Sequence, residues 1–302
     1  MLFAGSHCSR ISIQLVMMLS LAWRLLAQTW NYTSSGADWI GNGCDDFYNQ
    51  YQSPIDIEYA SCECNEKMSF EINFGSSKSV SSTLSFSGNP KTPSISLSPE
   101  FAHLYFRTSQ ERSRLYTSNS MVLRTPSEHL LNGVRLPLEL QIYFKSIYEE
   151  NLALSLLFTN STKNMSNIIV KDIITAINTG DAMIAYTAKK TVNFTNYINF
   201  NKVFDDRSDF FYYNGSRTDT DCQTPVKWII LSQPLSTNSS DVESLVTLLK
   251  NVTKVENNTR MEQELRNRII YVTSDSCSDF FTNVIWLGFL YASVILIVFK
   301  TL

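Results

Sequence analysis

Two acids, a histidine and a glutamine lie close together in the middle of this chain: Glu128, His129, Glu139 and Gln141. Carboxylates and imidazoles are the usual ligands of a catalytic zinc ion, which takes three good N, S or O donors and keeps a fourth position open for water. The chain has three histidines in all, His7, His103 and His129. His7 falls in an N-terminal leader, so two remain for the mature protein, and a three-histidine zinc site cannot be built from one copy. Gln141 offers only an amide oxygen, a poor zinc ligand on its own. Cys62-x-Cys64 lacks the second half of a zinc motif. Without a metal, water keeps a pKa of about 15.7 instead of about 7, and no hydroxide nucleophile forms at neutral pH.

The elements that must position these residues read mostly as strands. Val80–Ser87 and Ser94–Leu97 alternate between apolar and polar residues, and Leu138–Phe144 and Ala153–Thr159 are apolar runs with β-branched or aromatic neighbours. Lys227-Trp228-Ile229-Ile230-Leu231 has the pattern of a buried strand. Asn167–Asn178 and Asp241–Asn251 carry apolar residues at helical spacing, the second with Ser239-Ser240-Asp241 as a cap. Many strands and few helices predict a sheet-centred α+β domain, mainly β.

The two ends read differently. Arg10, the apolar run Ile11–Ala22 and the small residue Ala27 form a secretory signal over residues 1–27. Eight N-x-S/T sequons follow, at Asn31, Asn160, Asn164, Asn193, Asn214, Asn238, Asn251 and Asn257, which predicts a glycosylated luminal surface. After a domain over residues 28–273 and a short stalk over 274–283, residues 284–302 are apolar up to Lys300. With Phe280 and Phe281 counted, the run reaches the length a bilayer-spanning helix needs. A cleaved GPI signal fits the same residues. Either gives membrane attachment with the domain on the luminal or extracellular side. Net charge is −3 with no basic cluster, which argues against nucleic acid as a partner. Beyond Cys8 in the leader there are five cysteines, Cys44, Cys62, Cys64, Cys222 and Cys277, an odd number for the oxidising secretory route. Cys62, Cys64 or Cys277 is therefore available to link an oligomer.

Five ordered blocks resemble the α-class carbonic anhydrases. Trp30-Asn31-Tyr32 with Asp38-Trp39 resembles the family's opening. Gln52-Ser53-Pro54-Ile55-Asp56-Ile57 matches a family string residue for residue. Thr125-Pro126-Ser127-Glu128-His129 with Leu138-Glu139-Leu140-Gln141 resembles the zinc-site core, and Asn214–Cys222 followed by Val226–Leu231 the hydroxide-binding loop and its strand; Asn258–Tyr271 resembles the closing stretch. The resemblance implies a large, twisted, mostly antiparallel sheet with short surface helices.

The resemblance also implies a lost metal site. The three zinc-binding histidines fall on Val122, Arg124 and Gln141, so zinc is expected to be absent and no cofactor replaces it. The threonine that holds zinc-bound hydroxide and the glutamate that orients it fall on Thr218 and Glu128, both kept. Glu139 falls on the partner of a histidine ligand and is expected to meet Arg124, or else Glu128 does. Arg217 and Tyr143 fall on the apolar CO2 slot, and no histidine stands at the proton-shuttle place near Ser87–Pro93. Secreted members join cysteines at the places of Cys44 and Cys222. The implied function is a membrane-anchored carbonic-anhydrase-related protein without hydratase activity, binding a protein or glycan; the alternative is an active zinc enzyme with an atypical site.

Overall fold

The computed structural model describes residues 32–39, 43–44, 51–65, 67–75, 80–87, 92–160, 167–179, 190–194, 209–253 and 257–273. The leader, the stalk, residues 284–302, Cys8, Cys277, Asn31 and Asn164 lie outside the described residues. Among those described, no helix is long and apolar enough to cross a membrane.

Among the described residues, a 13-stranded mixed sheet organises the domain. Its path runs Lys190–Phe194, Val80–Ser87, Thr92–Ser96, Arg114–Arg124, Leu138–Ser146, Asn151–Asn160, Val226–Leu231, Phe210–Gly215, Tyr271–Thr273 and Glu63–Cys64. Ala102–Arg107 and Ser69–Phe74 extend from Arg114–Arg124, and Leu235–Thr237 lies beside Asn151–Asn160. Most pairings are antiparallel; Asn151–Asn160 pairs parallel with Val226–Leu231. Three short strands, Asp56–Ile57, Leu130–Leu131 and Val134–Arg135, make a second small sheet.

The central strands are buried on both faces, which is why Leu138–Ser146 and Asn151–Asn160 read as near-continuous apolar runs. Side chains alternate across a strand. Leu138, Leu140, Ile142 and Phe144 join one cluster with Leu152, Leu154, Leu156 and Phe158. Tyr143 and Val122 belong to a second cluster with Ile55, Tyr213 and Trp228, beside Glu139 and Gln141 on the opposite face.

Two helices flank the first cluster. Ile168–Thr179 buries Ile169, Val170 and Ile173 there, and Ser239–Thr253 buries Leu245. Their starts are set by asparagines. Asn167 Oδ1 accepts the Ile169 N–H at 2.9 Å, and Asn238 Oδ1 accepts the Ser240 N–H at 2.9 Å. The second cap is thus one residue earlier than the predicted Ser239-Ser240-Asp241. Six of the eight sequons lie among the described residues; Asn160 and Asn214 are exposed, whereas the Asn238 side chain is occupied by its cap.

Candidate functional site

The strands Arg114–Arg124 and Leu138–Ser146 place Gln141 opposite Val122 and Glu139 opposite Arg124. Val122, Arg124 and Gln141 therefore share one patch, and all three are buried. Glu128 reaches it from the segment after Arg124, and Thr218 from the loop after Phe210–Gly215.

Arg124 occupies the centre. Its Nη1 donates to the Tyr32 hydroxyl at 2.7 Å and to the Asn258 carbonyl at 2.9 Å. Its Nη2 donates to the Thr218 hydroxyl at 3.2 Å and the Thr218 carbonyl at 3.4 Å. Its Nε lies 3.1 Å from Glu128 Oε2 and 3.5 Å from Gln141 Oε1. Every guanidinium nitrogen has an acceptor, which a buried charge requires. Burial works against the charged form of Arg124, but Glu128 and the Tyr32 and Tyr143 hydroxyls outweigh it and raise its pKa.

Of the two expected partners for Arg124, Glu128 forms the pair. Glu128 Oε1 also accepts the Arg260 N–H at 2.8 Å, and Oε2 accepts Gln141 Nε2 at 2.8 Å. Burial pushes its pKa up, Arg124 pulls it down, and the Glu139 charge pushes it up again; the net direction is upward. Glu139 instead holds the segment Glu128–His129. Its Oε2 accepts the Glu128 and His129 N–H groups at 2.7 and 2.9 Å, and its Oε1 lies 2.7 Å from His129 Nδ1. Gln141 Nε2 and Ser155 Oγ donate to the same Oε1 at 3.0 and 2.8 Å. Burial alone would raise the Glu139 pKa; the neighbouring His129 ring and these donors hold it at about 2. The interaction of Glu139 with a histidine is therefore present, but that histidine is His129, buried in the fold.

The mouth of the patch is closed by a second cation. The Arg217 guanidinium stacks 4.1 Å over the Tyr143 ring and is held by Asp219 Oδ2 from Nε at 2.8 Å and from Nη2 at 2.7 Å. The Tyr143 hydroxyl donates to Gln141 Oε1 at 3.0 Å, which also accepts the Thr218 hydroxyl at 3.3 Å. Burial would raise the Asp219 pKa, but Arg217 and a hydrogen bond with Asp221 hold it at about 2; Asp221 is pushed to about 6 by its own burial and that same hydrogen bond. A disulfide joins Cys44 to Cys222 across 178 residues, the pairing that the resemblance implied. Cys64 is also disulfide-bonded, and Cys62 carries a free thiol whose pKa burial raises to about 11.

These residues do not fit zinc. The three ligand positions bring one aliphatic side chain, one amide already bonded at both ends, and a guanidinium with donors only. No cluster of three His, Cys, Asp or Glu side chains able to hold a metal occurs among the described residues.

A model of the eukaryotic-type carbonic anhydrases matches residues 35–274. The chain belongs to the carbonic anhydrase family. Alpha carbonic anhydrase 3 of Arabidopsis thaliana is 26% identical over 154 residues, half of this chain and 51% of the plant protein. The chain thus aligns with about half the length of that relative. Among solved structures, carbonic anhydrase Cah3 from Chlamydomonas reinhardtii, determined with acetazolamide, superposes with a TM-score of 0.65 at 18% identity, covering 81% of this chain and 99% of that one. The α-carbonic anhydrase of Aspergillus oryzae gives 0.60 at 23% identity, covering 78% and 94%. Dioscorin complexed with ascorbate gives 0.59 at 19%, covering 74% and 86%. At these identities the structures establish the carbonic anhydrase fold.

Several residues that build the site had no role assigned to them from the sequence. Tyr32 and Asn258 lie 92 and 134 residues from Arg124. Asn258 also donates to the Leu123 carbonyl at 2.7 Å and accepts the Thr125 N–H at 2.9 Å. The His129 ring continues through Nε2 to the Tyr213 hydroxyl at 2.7 Å and on to Ser53 Oγ at 2.8 Å. Tyr32, Ser53 and Asn258 stand inside recognised blocks, so their presence was visible while their partners were not.

Proposed function

We propose that this chain is a carbonic-anhydrase-like domain without CO2 hydratase activity, attached to a membrane in the secretory route and acting as a binding or structural module. One observation carries the reading: the Arg124 guanidinium occupies the centre of the three ligand positions, with an acceptor on every nitrogen. A fixed cation there repels a divalent metal, and no other side chain in the patch generates hydroxide at neutral pH. Arg217 over Tyr143 adds a second obstacle, since a polar pair fills the slot that CO2 would enter. Thr218 and Glu128, which would orient a metal-bound hydroxide, here serve Arg124 instead.

The test is zinc content and CO2 hydration of the glycosylated protein from a eukaryotic secretory host. The expected result is zinc far below one atom per chain and no hydration above the uncatalysed rate. One zinc per chain with hydration that a sulfonamide inhibits would establish the alternative, an active enzyme with an atypical site.

A further inference from the structure

A surface away from the plugged site brings aromatic, basic and hydroxyl side chains together. The outer strands Ser69–Phe74 and Ala102–Arg107 and the start of Arg114–Arg124 expose every second side chain to solvent. Their register puts Glu71, Tyr105 and Leu115 in one row and Ser69 beside Arg107 in the next. Tyr105 and Leu115 are 39% and 36% exposed and stand side by side on this face. An open depression of about 620 Å³ lies over this face, bounded by Ser69, Phe70, Glu71, Tyr105, Arg107 and Ser113. A second, of about 530 Å³, shares Arg107 and continues past Lys67 and Arg112.

The charges are unbalanced. Lys67, Arg107 and Arg112 form no ion pair among the described residues, while Glu111, the acid beside them, is taken by Lys227 at 2.8 Å. Glu71 remains, with Asn73 donating to its Oε1 at 2.9 Å. A ligand that suits these groups has a flat, partly apolar face for Tyr105, hydroxyls for Ser69, Glu71 and Ser113, and a carboxylate for the fork of Arg107. A sugar ring bearing a carboxylate has all three. From these groups we propose that this cleft binds acidic saccharides, with Tyr105 as the stacking platform, Arg107 as the carboxylate partner, and Arg112 and Lys67 receiving a second acidic unit. The proposal gives the binding role above a ligand class, yet shares no residue with the plugged site, so it stands or falls separately from the zinc result.

The full-length protein in detergent is titrated by calorimetry with three probes: tri-galacturonate, a chain of uronates; 3′-sialyllactose, a terminal sialate; and neutral cellotriose. At least one acidic probe is expected to bind and cellotriose not, and the better acidic probe identifies the source of the carboxylate. Tyr105→Ala and Arg107→Ala, both on the exposed face and checked for native circular dichroism, should each weaken binding by about tenfold or more. Arg107→Lys should recover only part of it, because an ammonium lacks the fork. The proposal is overturned if neither acidic probe binds, if cellotriose binds as well as they do, or if both alanine variants bind like the parent.

Discussion

At the scale of single residues, the plug is a matter of charge neutralisation. Arg124 and Glu128 are each almost wholly buried and 3.1 Å apart. Removing one partner of such a pair leaves an uncompensated buried charge, which costs about 3–5 kcal/mol. Arg124→Met should lower the unfolding free energy by that order in urea, and adding Glu128→Gln should return a large part of it. An unchanged midpoint for Arg124→Met would show that the guanidinium does not stabilise the fold. Glu139 gives a pH-dependent counterpart. Its folded pKa of about 2 lies below the ordinary glutamate value near 4.3. A depressed carboxylate contributes stability above its unfolded pKa and loses it as the pH falls through the folded one. Glu139 should therefore contribute on the order of 3 kcal/mol at neutral pH, lost between about pH 4 and pH 2. Thermal melts of the parent and Glu139→Gln should converge over that window and stay apart above it.

At the scale of elements, the loop Gly215–Cys222 carries the disulfide and the second cation. The Cys44–Cys222 bond closes a loop of 178 residues. Chain-entropy loss in the unfolded state then stabilises the fold by about 5 kcal/mol in the loop-closure account. Cys44→Ser with Cys222→Ser should unfold at much lower urea, and equal midpoints for parent and double variant would remove this role. The most buried elements were legible in the sequence, whereas Ser69–Phe74, Ala102–Arg107 and Phe210–Gly215 were not. Leu138–Phe144, Ala153–Thr159 and Lys227–Leu231 were readable because strands buried on both faces are apolar throughout, and each extends by one to three residues in the structure. Arg114–Arg124 was not, since serines, threonine and asparagine break its apolar pattern where it passes from the exposed face to the core. The site divides in the same way. Positions 122, 124 and 141 followed from the resemblance to the family's zinc-site core. The choice of Glu128 over Glu139 for Arg124 depended on His129 competing for Glu139, a contact that spacing alone does not rank.

At the scale of the whole molecule, one sheet holds the strands on which the replaced ligand positions stand, and the membrane attachment expected from the C-terminal sequence lies beyond it. In the proposed attachment, residues 274–302 would supply either a spanning helix or the signal for a lipid anchor. A phosphatidylinositol-specific phospholipase should leave the protein on membranes, with release only by detergent, if the apolar run ending at Lys300 is a true span. Release by the phospholipase would establish the GPI alternative. Under the proposed attachment, either anchor would leave the exposed face of Ser69–Phe74 and Ala102–Arg107 on the side away from the cytosol.

The contacts of Arg124 also impose an order of events during synthesis. Its guanidinium is satisfied by Tyr32 from the beginning of the domain, Thr218 from its last third and Asn258 from close to its end. A chain still being translated has the strands on either side of the patch long before Asn258 emerges. Until then the buried guanidinium lacks the Asn258 carbonyl, one of the two acceptors of its Nη1. Completion of the interior is thus a late step, in effect a built-in proofreading of whether the whole domain has been made.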